Sequence, residues 1–223
     1  MRKNIISKNL QNILAEIPQE KNLVAVSKTF PFSDIEMAYG EGQRDFGENR
    51  VQELTAKAQE ALERGMDIRW HFIGRLQSNK VKKLLQTPNL FAIHSISSLK
   101  QIELLKKLSS VPIGPISVFL QVNTSLEEEK AGFIHLEELK EAVGELDSVS
   151  HSFPLLGLMT MGGVRANDFE GEAHRCFRHL QKLREQIDRP LRLSMGMGRD
   201  YPIALSHGAD YIRIGELVFG PRK

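Results

Sequence analysis

Asn22-Leu23-Val24-Ala25-Val26-Ser27 is a short apolar run that ends on a polar residue. A strand buried on one face alternates apolar and polar side chains. A run that stays apolar fits a strand buried on both faces, as in a parallel sheet covered by helices. The next stretch agrees with that reading: Ser33 to Gly42 reads as a helix, with Ser33 as its N-cap. Outward from this pair the same rhythm repeats. Asp45-Phe46-Gly47 is a short strand, and Asn49 to Arg64 is a helix carrying Val51, Leu54, Ala58 and Leu62 at helical spacing. Arg69 to Ile73 is a strand and Ser78 to Gln86 a lysine-rich helix. Phe91 to His94 is a strand and Ser98 to Leu108 a helix. Ile116 to Val122, rich in β-branched and aromatic residues, is the clearest strand, and Leu136 to Leu146 its helix. Leu155 to Met159 and the long helix Asp168 to Ile187 follow. Leu191 to Ser194 precedes a short helix from Asp200 to His207, and Tyr211 to Ile214 closes the series.

That makes about eight strands, each but the last followed by a helix. The expectation is an α/β protein with one (β/α)8 TIM barrel, and the alternative is an open doubly wound sheet. Lys3 to Ile17 reads as an extra N-terminal helix ahead of the barrel. The chain has 223 residues, within the range of a one-domain barrel. No composition break or linker divides it, so residues 1–223 are expected to form a single domain.

Lys+Arg total 30 and Asp+Glu 28, a net charge of +2, with 41% hydrophobic and 26% charged residues. Such a balance argues against nucleic acid as the main partner, which would need a concentrated basic surface. The basic runs Lys80-Val81-Lys82-Lys83 and Lys106-Lys107 read as solvated helix faces. Cys176 stands alone, which excludes an internal disulfide and reads as a core cysteine. The N-terminus lacks the apolar core of a signal peptide, and no run approaches the roughly 20 apolar residues of a membrane helix. A cytoplasmic location and no membrane partner are expected.

Barrels of this kind carry their chemistry at the C-terminal ends of the strands. Lys28 stands just past the first strand. Apolar walls there would disfavour the ammonium and free an amine that can condense with an aldehyde; the competing reading is a solvated lysine at a strand end. Asn49 follows the second strand, where Asn49-x-x-Gln52 matches a capping box, although the amide could instead face a ligand. Gly74 suits a tight turn after the third strand, and His71 within that strand reads as a satisfied core histidine. After the last two strands come Ser194-Met195-Gly196-Met197-Gly198 and Arg213-Ile214-Gly215-Glu216. Glycines let backbone N–H groups approach an anion, and barrels often bind phosphate at these two places. Gly162-Gly163 reads only as a turn, and the dispersed histidines give no metal site.

Ala25-Val26-Ser27-Lys28-Thr29, Phe46-Gly47-Glu48-Asn49, Trp70-His71-Phe72-Ile73-Gly74, Leu76-Gln77-Ser78-Asn79-Lys80, Gln121-Val122-Asn123, Gly157-Leu158-Met159, Leu193-Ser194-Met195-Gly196-Met197 and Val218-Phe219-Gly220 occur in order from about Leu23 to Arg222. Together they resemble the pyridoxal phosphate homeostasis proteins, the YggS/PROSC family. The resemblance implies a barrel like the N-terminal domain of alanine racemase, the fold type III of PLP proteins. It implies that Lys28 holds pyridoxal 5'-phosphate (PLP) as a Schiff base and that Asn49 lies near its ring. It puts Ser194, Met195 and Gly196 on the phosphate side, Arg213 against the pyridine nitrogen, and the Gly215 and Glu216 N–H groups on phosphate.

An arginine at that nitrogen keeps it unprotonated and weakens PLP as an electron sink, which suits a carrier. The function expected is therefore intracellular PLP homeostasis without turnover. The alternative is a PLP-dependent amino-acid racemase or decarboxylase. Against it, the chain ends shortly after the last strand, without the domain that supplies the racemase tyrosine base, and Tyr39, Tyr201 and Tyr211 offer no obvious substitute. Apo PLP-dependent enzymes are the expected recipients and a monomer the expected form. Departures from the family pattern are Gly198, often serine, Phe30, lysine in some members, and Arg75, where histidine or proline also occurs.

Overall fold

The computed structural model describes residues 2–110, 114–163 and 167–221. Arg222, where the motif series ends, lies outside them. The strands are β1 (Asn22–Val26), β2 (Asp45–Glu48), β3 (Arg69–Phe72), β4 (Leu90–Ile96), β5 (Ser117–Gln121), β6 (Leu155–Met159), β7 (Arg192–Met197) and β8 (Tyr211–Ile214). All neighbouring pairs are parallel, and β8 closes onto β1 through Ala25 opposite Ile214 and Val24 opposite Arg213. The closed (β/α)8 barrel is the architecture expected from the apolar runs, and the open sheet is excluded.

The helices are α1 (Arg2–Glu16), α2 (Phe32–Gly40), α3 (Val51–Glu63), α4 (Val81–Leu85), α5 (Leu99–Leu108), α6 (Leu136–Asp147), α7 (Phe169–Glu185), α8 (Tyr201–Ser206) and α9 (Glu216–Phe219). Their apolar stripes face inward, against the barrel or, for α1, against α2 and α9. In α3 the stripe is Val51, Leu54, Ala58 and Ala61, all buried at helical spacing. Burying a side chain of that size contributes about 1.5–3 kcal/mol for the larger ones. The extra N-terminal helix is present as α1. It buries Ile6, Leu10 and Ile13, and Asn9 Nδ2 donates to the Val218 carbonyl of α9 at 3.1 Å.

Four local expectations are corrected. The last strand does lead into a helix, the single turn α9. Ser33 does not cap α2; Pro31 takes that position, its fixed backbone entering the helix without a side-chain bond. The lysine-rich helix starts as a 3-10 turn, Ser78–Lys80, before α4. β7 runs past Ser194 to Met197 with a register shift that bulges the strand beside β8.

Two cores result. The larger lies between barrel and helices and includes Cys176, buried as expected. The smaller fills the barrel with Val24, Ala92, Phe119, Met159 and Tyr211. Among them stand polar side chains that the alternation of the strands also turns inward: His71, His94, Ser194 and Arg213, all buried. No described helix is long and apolar enough to cross a membrane.

Candidate functional site

Lys28 follows β1 on a post that is anchored on both sides. Before it, Ser27 is buried; its N–H donates to the Gly47 carbonyl at 3.0 Å and its Oγ to Glu48 Oε1 at 2.7 Å. Lys57, reaching up from α3, donates to the Ser27 carbonyl at 2.8 Å and to Glu48 and Glu53 at 2.7 Å each. After it, Thr29 sits at φ 68°, a conformation that costs a β-branched residue about 1–3 kcal/mol. Glu53 holds it there by accepting the Thr29 N–H at 2.8 Å. Lys28 itself is half-buried, and among the described residues no hydrogen bond or ion pair engages it. Burial pushes the Glu48 carboxyl up, against the pull of Lys57 and Ser27, and its Oε2 is buried without a partner. Glu53 shows the opposite balance, its burial outweighed by Lys57 and the Thr29 N–H, so its carboxyl is lowered.

Asn49 does not form the capping box. Arg50 takes the N-cap position of α3, and no side chain caps the helix. The Asn49 side chain is thereby left without a capping role, half-buried just past the end of β2. Its backbone is pressed by Gly74, at which a Cβ would lie 2.0 Å from the Asn49 carbonyl oxygen. A cavity of about 300 Å³ opens there, lined by Asn49, Gln52, Arg75, Gln77 and Lys80 among others.

On β8, the strand on the other side of β1, Arg213 is 3% exposed. It donates to Ser194 Oγ at 2.6 Å and to the Thr160 carbonyl at 2.8 Å, both neutral acceptors. Among the described residues no carboxylate pairs with it. Burial therefore lowers its pKa to about 10, and Asp200 acts on it only at a distance. The Ser194 hydroxyl is engaged inside the barrel, with His94 Nδ1 at 2.8 Å as its other neighbour. Met195 is fully buried and its side chain belongs to the outer core, so only its backbone can face a ligand. Gly196 sits at φ 91°, where a Cβ would meet Ala204 Cβ at 2.6 Å; only glycine lets β7 turn this tightly against α8. At Gly198 a Cβ would meet nothing within 4 Å, leaving open space on that side. Gly215 follows β8 against the end of β1, its Cβ position 3.2 Å from the Val26 carbonyl oxygen, and Glu216 begins α9.

The barrel closure thus brings the Lys28 post, the β7 glycine turn and the Gly215–Glu216 turn to the same end. These residues fit PLP. A half-buried amine without a partner suits an aldehyde, and a buried guanidinium without a counter-charge suits the acceptors of the ring and phosphate. Sequence reasoning missed the residues beneath them. Glu48, Glu53 and Lys57 build the post, and His94 and Thr160 hold the Arg213 assembly. The one signal was a lysine at i+4 from Glu53 on the buried side of a helix.

The family model for the alanine racemase N-terminal domain matches residues 2–223. The pyridoxal phosphate homeostasis protein of Schizosaccharomyces pombe is 37% identical over 222 residues, covering 96% of this chain and 91% of that protein. That of Synechocystis is 39% identical over 219 residues, covering 94% and 95%. The structure of PipY from Synechococcus elongatus with PLP bound aligns with a TM-score of 0.86 at 32% identity, covering 96% of this chain and all of that one. With identities of this size over nearly its whole length, the chain belongs to the pyridoxal phosphate homeostasis protein family, within the larger group that shares the alanine racemase N-terminal domain.

Proposed function

We propose that the chain is a PLP-binding protein that acts in intracellular PLP homeostasis, with residues 1–223 working as one binding domain. The observation that carries this is Lys28 Nζ, half-buried and without a bonding partner among the described residues, on a braced post at the end of β1 beside the strand that carries the buried Arg213. Its relatives' names, and the PLP found in the PipY structure, support the same ligand. When bound, PLP supplies a reactive aldehyde. Lys28 Nζ condenses with it reversibly, which masks the aldehyde yet allows release. Asn49 orients the ring, and Arg213 donates toward the ring nitrogen and keeps it from gaining a proton. The backbone N–H groups around Ser194, Met195, Gly196, Gly215 and Glu216 hold the phosphate.

Absence of turnover belongs to this reading, and the tyrosines support it. A racemase needs a second base near the cofactor. The Tyr201 hydroxyl donates to Glu16, and burial together with that carboxylate pushes its pKa up to about 12. Tyr211 lies inside the barrel against Phe119, and burial raises it too. The Tyr39 hydroxyl accepts the Asp67 N–H at 3.2 Å while Arg44 covers its ring. Tyr201 and Tyr211 are thus held as neutral hydroxyls, and the Tyr39 hydroxyl is engaged by backbone. The acting form is a cytoplasmic monomer that releases PLP to apo PLP-dependent enzymes.

The test is a PLP titration followed in the visible range, paired with exchange of the amino-acid α-proton for deuterium. Saturable binding without exchange is expected. Exchange at enzyme-like rates would make the protein a racemase, release of carbon dioxide from the amino acid would make it a decarboxylase, and absence of binding would overturn the PLP reading.

A further inference from the structure

A line of hydrogen bonds crosses the inside of the barrel. It starts at Asp45, the first residue of β2, beside the half-exposed Arg69 on β3. Asp45 Oδ1 lies 2.8 Å from His71 Nε2. His71 Nδ1 lies 2.9 Å from His94 Nε2, and His94 Nδ1 lies 2.8 Å from Ser194 Oγ. Ser194 Oγ then meets the Arg213 guanidinium at 2.6 Å. Both imidazoles are fully buried, and His94 stacks on Phe119 with ring centroids 4.3 Å apart.

The two ends fix the direction of every link. An arginine can only donate, and an ionised carboxylate can only accept. Arg213 donates to Ser194, so the serine hydroxyl proton is free to point at His94 Nδ1. That leaves the His94 proton on Nε2, directed at His71 Nδ1. The His71 proton is then on Nε2, directed at Asp45. With neutral rings the reverse order would set a bare His71 nitrogen against the Asp45 carboxylate. It would also crowd two donors onto Ser194 and strand its hydroxyl proton in a dry core, a cost of about 1–3 kcal/mol.

We propose that Asp45, His71, His94 and Ser194 form a one-way hydrogen-bond chain that positions Arg213 for its ligand, with both histidines protonated on Nε2 only. Every lone pair in the chain faces the arginine, so their dipoles offset part of the missing counter-charge. The guanidinium stays ionised and fixed, with its remaining N–H groups free for the ligand. A carboxylate placed directly against Arg213 would hold it equally well but would compete with the ligand for it. The rings are positioning residues, since neither touches the amine or the phosphate turns. Burial, with the nearby Arg213 guanidinium, keeps the His94 pKa well below 6.5 and supports the neutral form of that ring. The inference rests on the reading that Arg213 serves the bound PLP.

The experiment is nitrogen-15 NMR of the ligand-free protein, with long-range proton–nitrogen correlations from the imidazoles between pH 6 and 8. The expected result is a neutral Nε2–H form for both His71 and His94. A proton on His94 Nδ1, or a cationic form of either ring, overturns the proposal. The second arm compares PLP binding to His94→Leu and His94→Gln. Glutamine can accept from Ser194 and donate to His71, so it preserves the direction; leucine breaks it. His94→Leu is expected to weaken PLP binding by at least about tenfold and His94→Gln to restore it to within about threefold. Equal binding by the leucine variant and the wild type overturns the proposal. Should His94→Leu fail to fold, the tautomers of the wild type decide. Failure of the wild type to bind PLP would refute the functional reading instead, and the tautomers would still be readable.

Discussion

Arg213 donates to Ser194 Oγ at 2.6 Å and draws no counter-charge from any described carboxylate at bonding distance. A guanidinium in that position is expensive. Its pKa falls from 12.5 to about 10 through burial. A shift of that size corresponds to roughly 3 kcal/mol. The sign follows from the charged form being disfavoured: the penalty is in full force at every pH below about 10 and is relieved only as pH rises through that value.

The first prediction follows from this cost. Arg213→Met removes the buried charge and fills the space, leaving the Thr160 carbonyl one donor short at about 1 kcal/mol. The ligand-free variant is expected to melt at or above the wild-type temperature, while PLP binding falls by at least about tenfold. Calorimetry and a visible-band titration on the same preparations check both halves. A variant that melts far below the wild type contradicts the assignment of Arg213 as a residue kept for its ligand.

The opposite end of the barrel has an acid dependence. Burial pushes the Asp45 carboxyl up, but the bonds from His71 and Arg69 outweigh it and hold the group below 3.8. A depressed carboxylate stabilises the fold above its unfolded value and loses that contribution as pH falls through its folded value. Asp45→Asn is therefore expected to be less stable than the wild type at pH 7. The gap should close as pH drops below 3.8, as seen in urea unfolding across that range.

Close packing beneath Asn49 gives a third outcome. A Cβ at Gly74 would lie 2.0 Å from the Asn49 carbonyl oxygen and 2.6 Å from its carbonyl carbon. Backbone must shift to admit it, an overpacking cost of about 1–3 kcal/mol or more. Gly74→Ala is expected to lower the melting temperature by several degrees and to weaken PLP binding together with it, because the shift moves Asn49. Melting curves with and without PLP separate the two effects.

Tyr201 is held by Glu16 on α1 and is predicted to be structural. Tyr201→Phe should cost about 1 kcal/mol of stability and leave PLP binding within about twofold of wild type. A large loss of binding with an intact fold would return Tyr201 to the site.

The barrel was legible in the sequence because runs such as Leu23–Val26 and Val118–Leu120 are buried on both sides and need apolar residues throughout. Lys28 and the late glycine turns were legible because the fold directs attention to strand C-termini. The Asn49-x-x-Gln52 spacing misled, since the chain enters α3 one residue later at Arg50 and leaves the asparagine outside the cap. The Ser27–Glu48–Lys57 brace was not legible, and neither was the His71–His94 pairing. Their partners lie 9 to 100 positions apart, and only closure of the barrel brings them into contact. His71 was rightly read as a satisfied core histidine, but its partners could not be named from one strand.

The most direct test of the central claim is borohydride reduction of the protein with PLP, followed by peptide mass mapping. The account predicts a visible absorbance band that reduction abolishes, with the reduced adduct on the peptide bearing Lys28 and lost in Lys28→Ala. No band, or an adduct spread over exposed lysines such as Lys82 and Lys83, would contradict it.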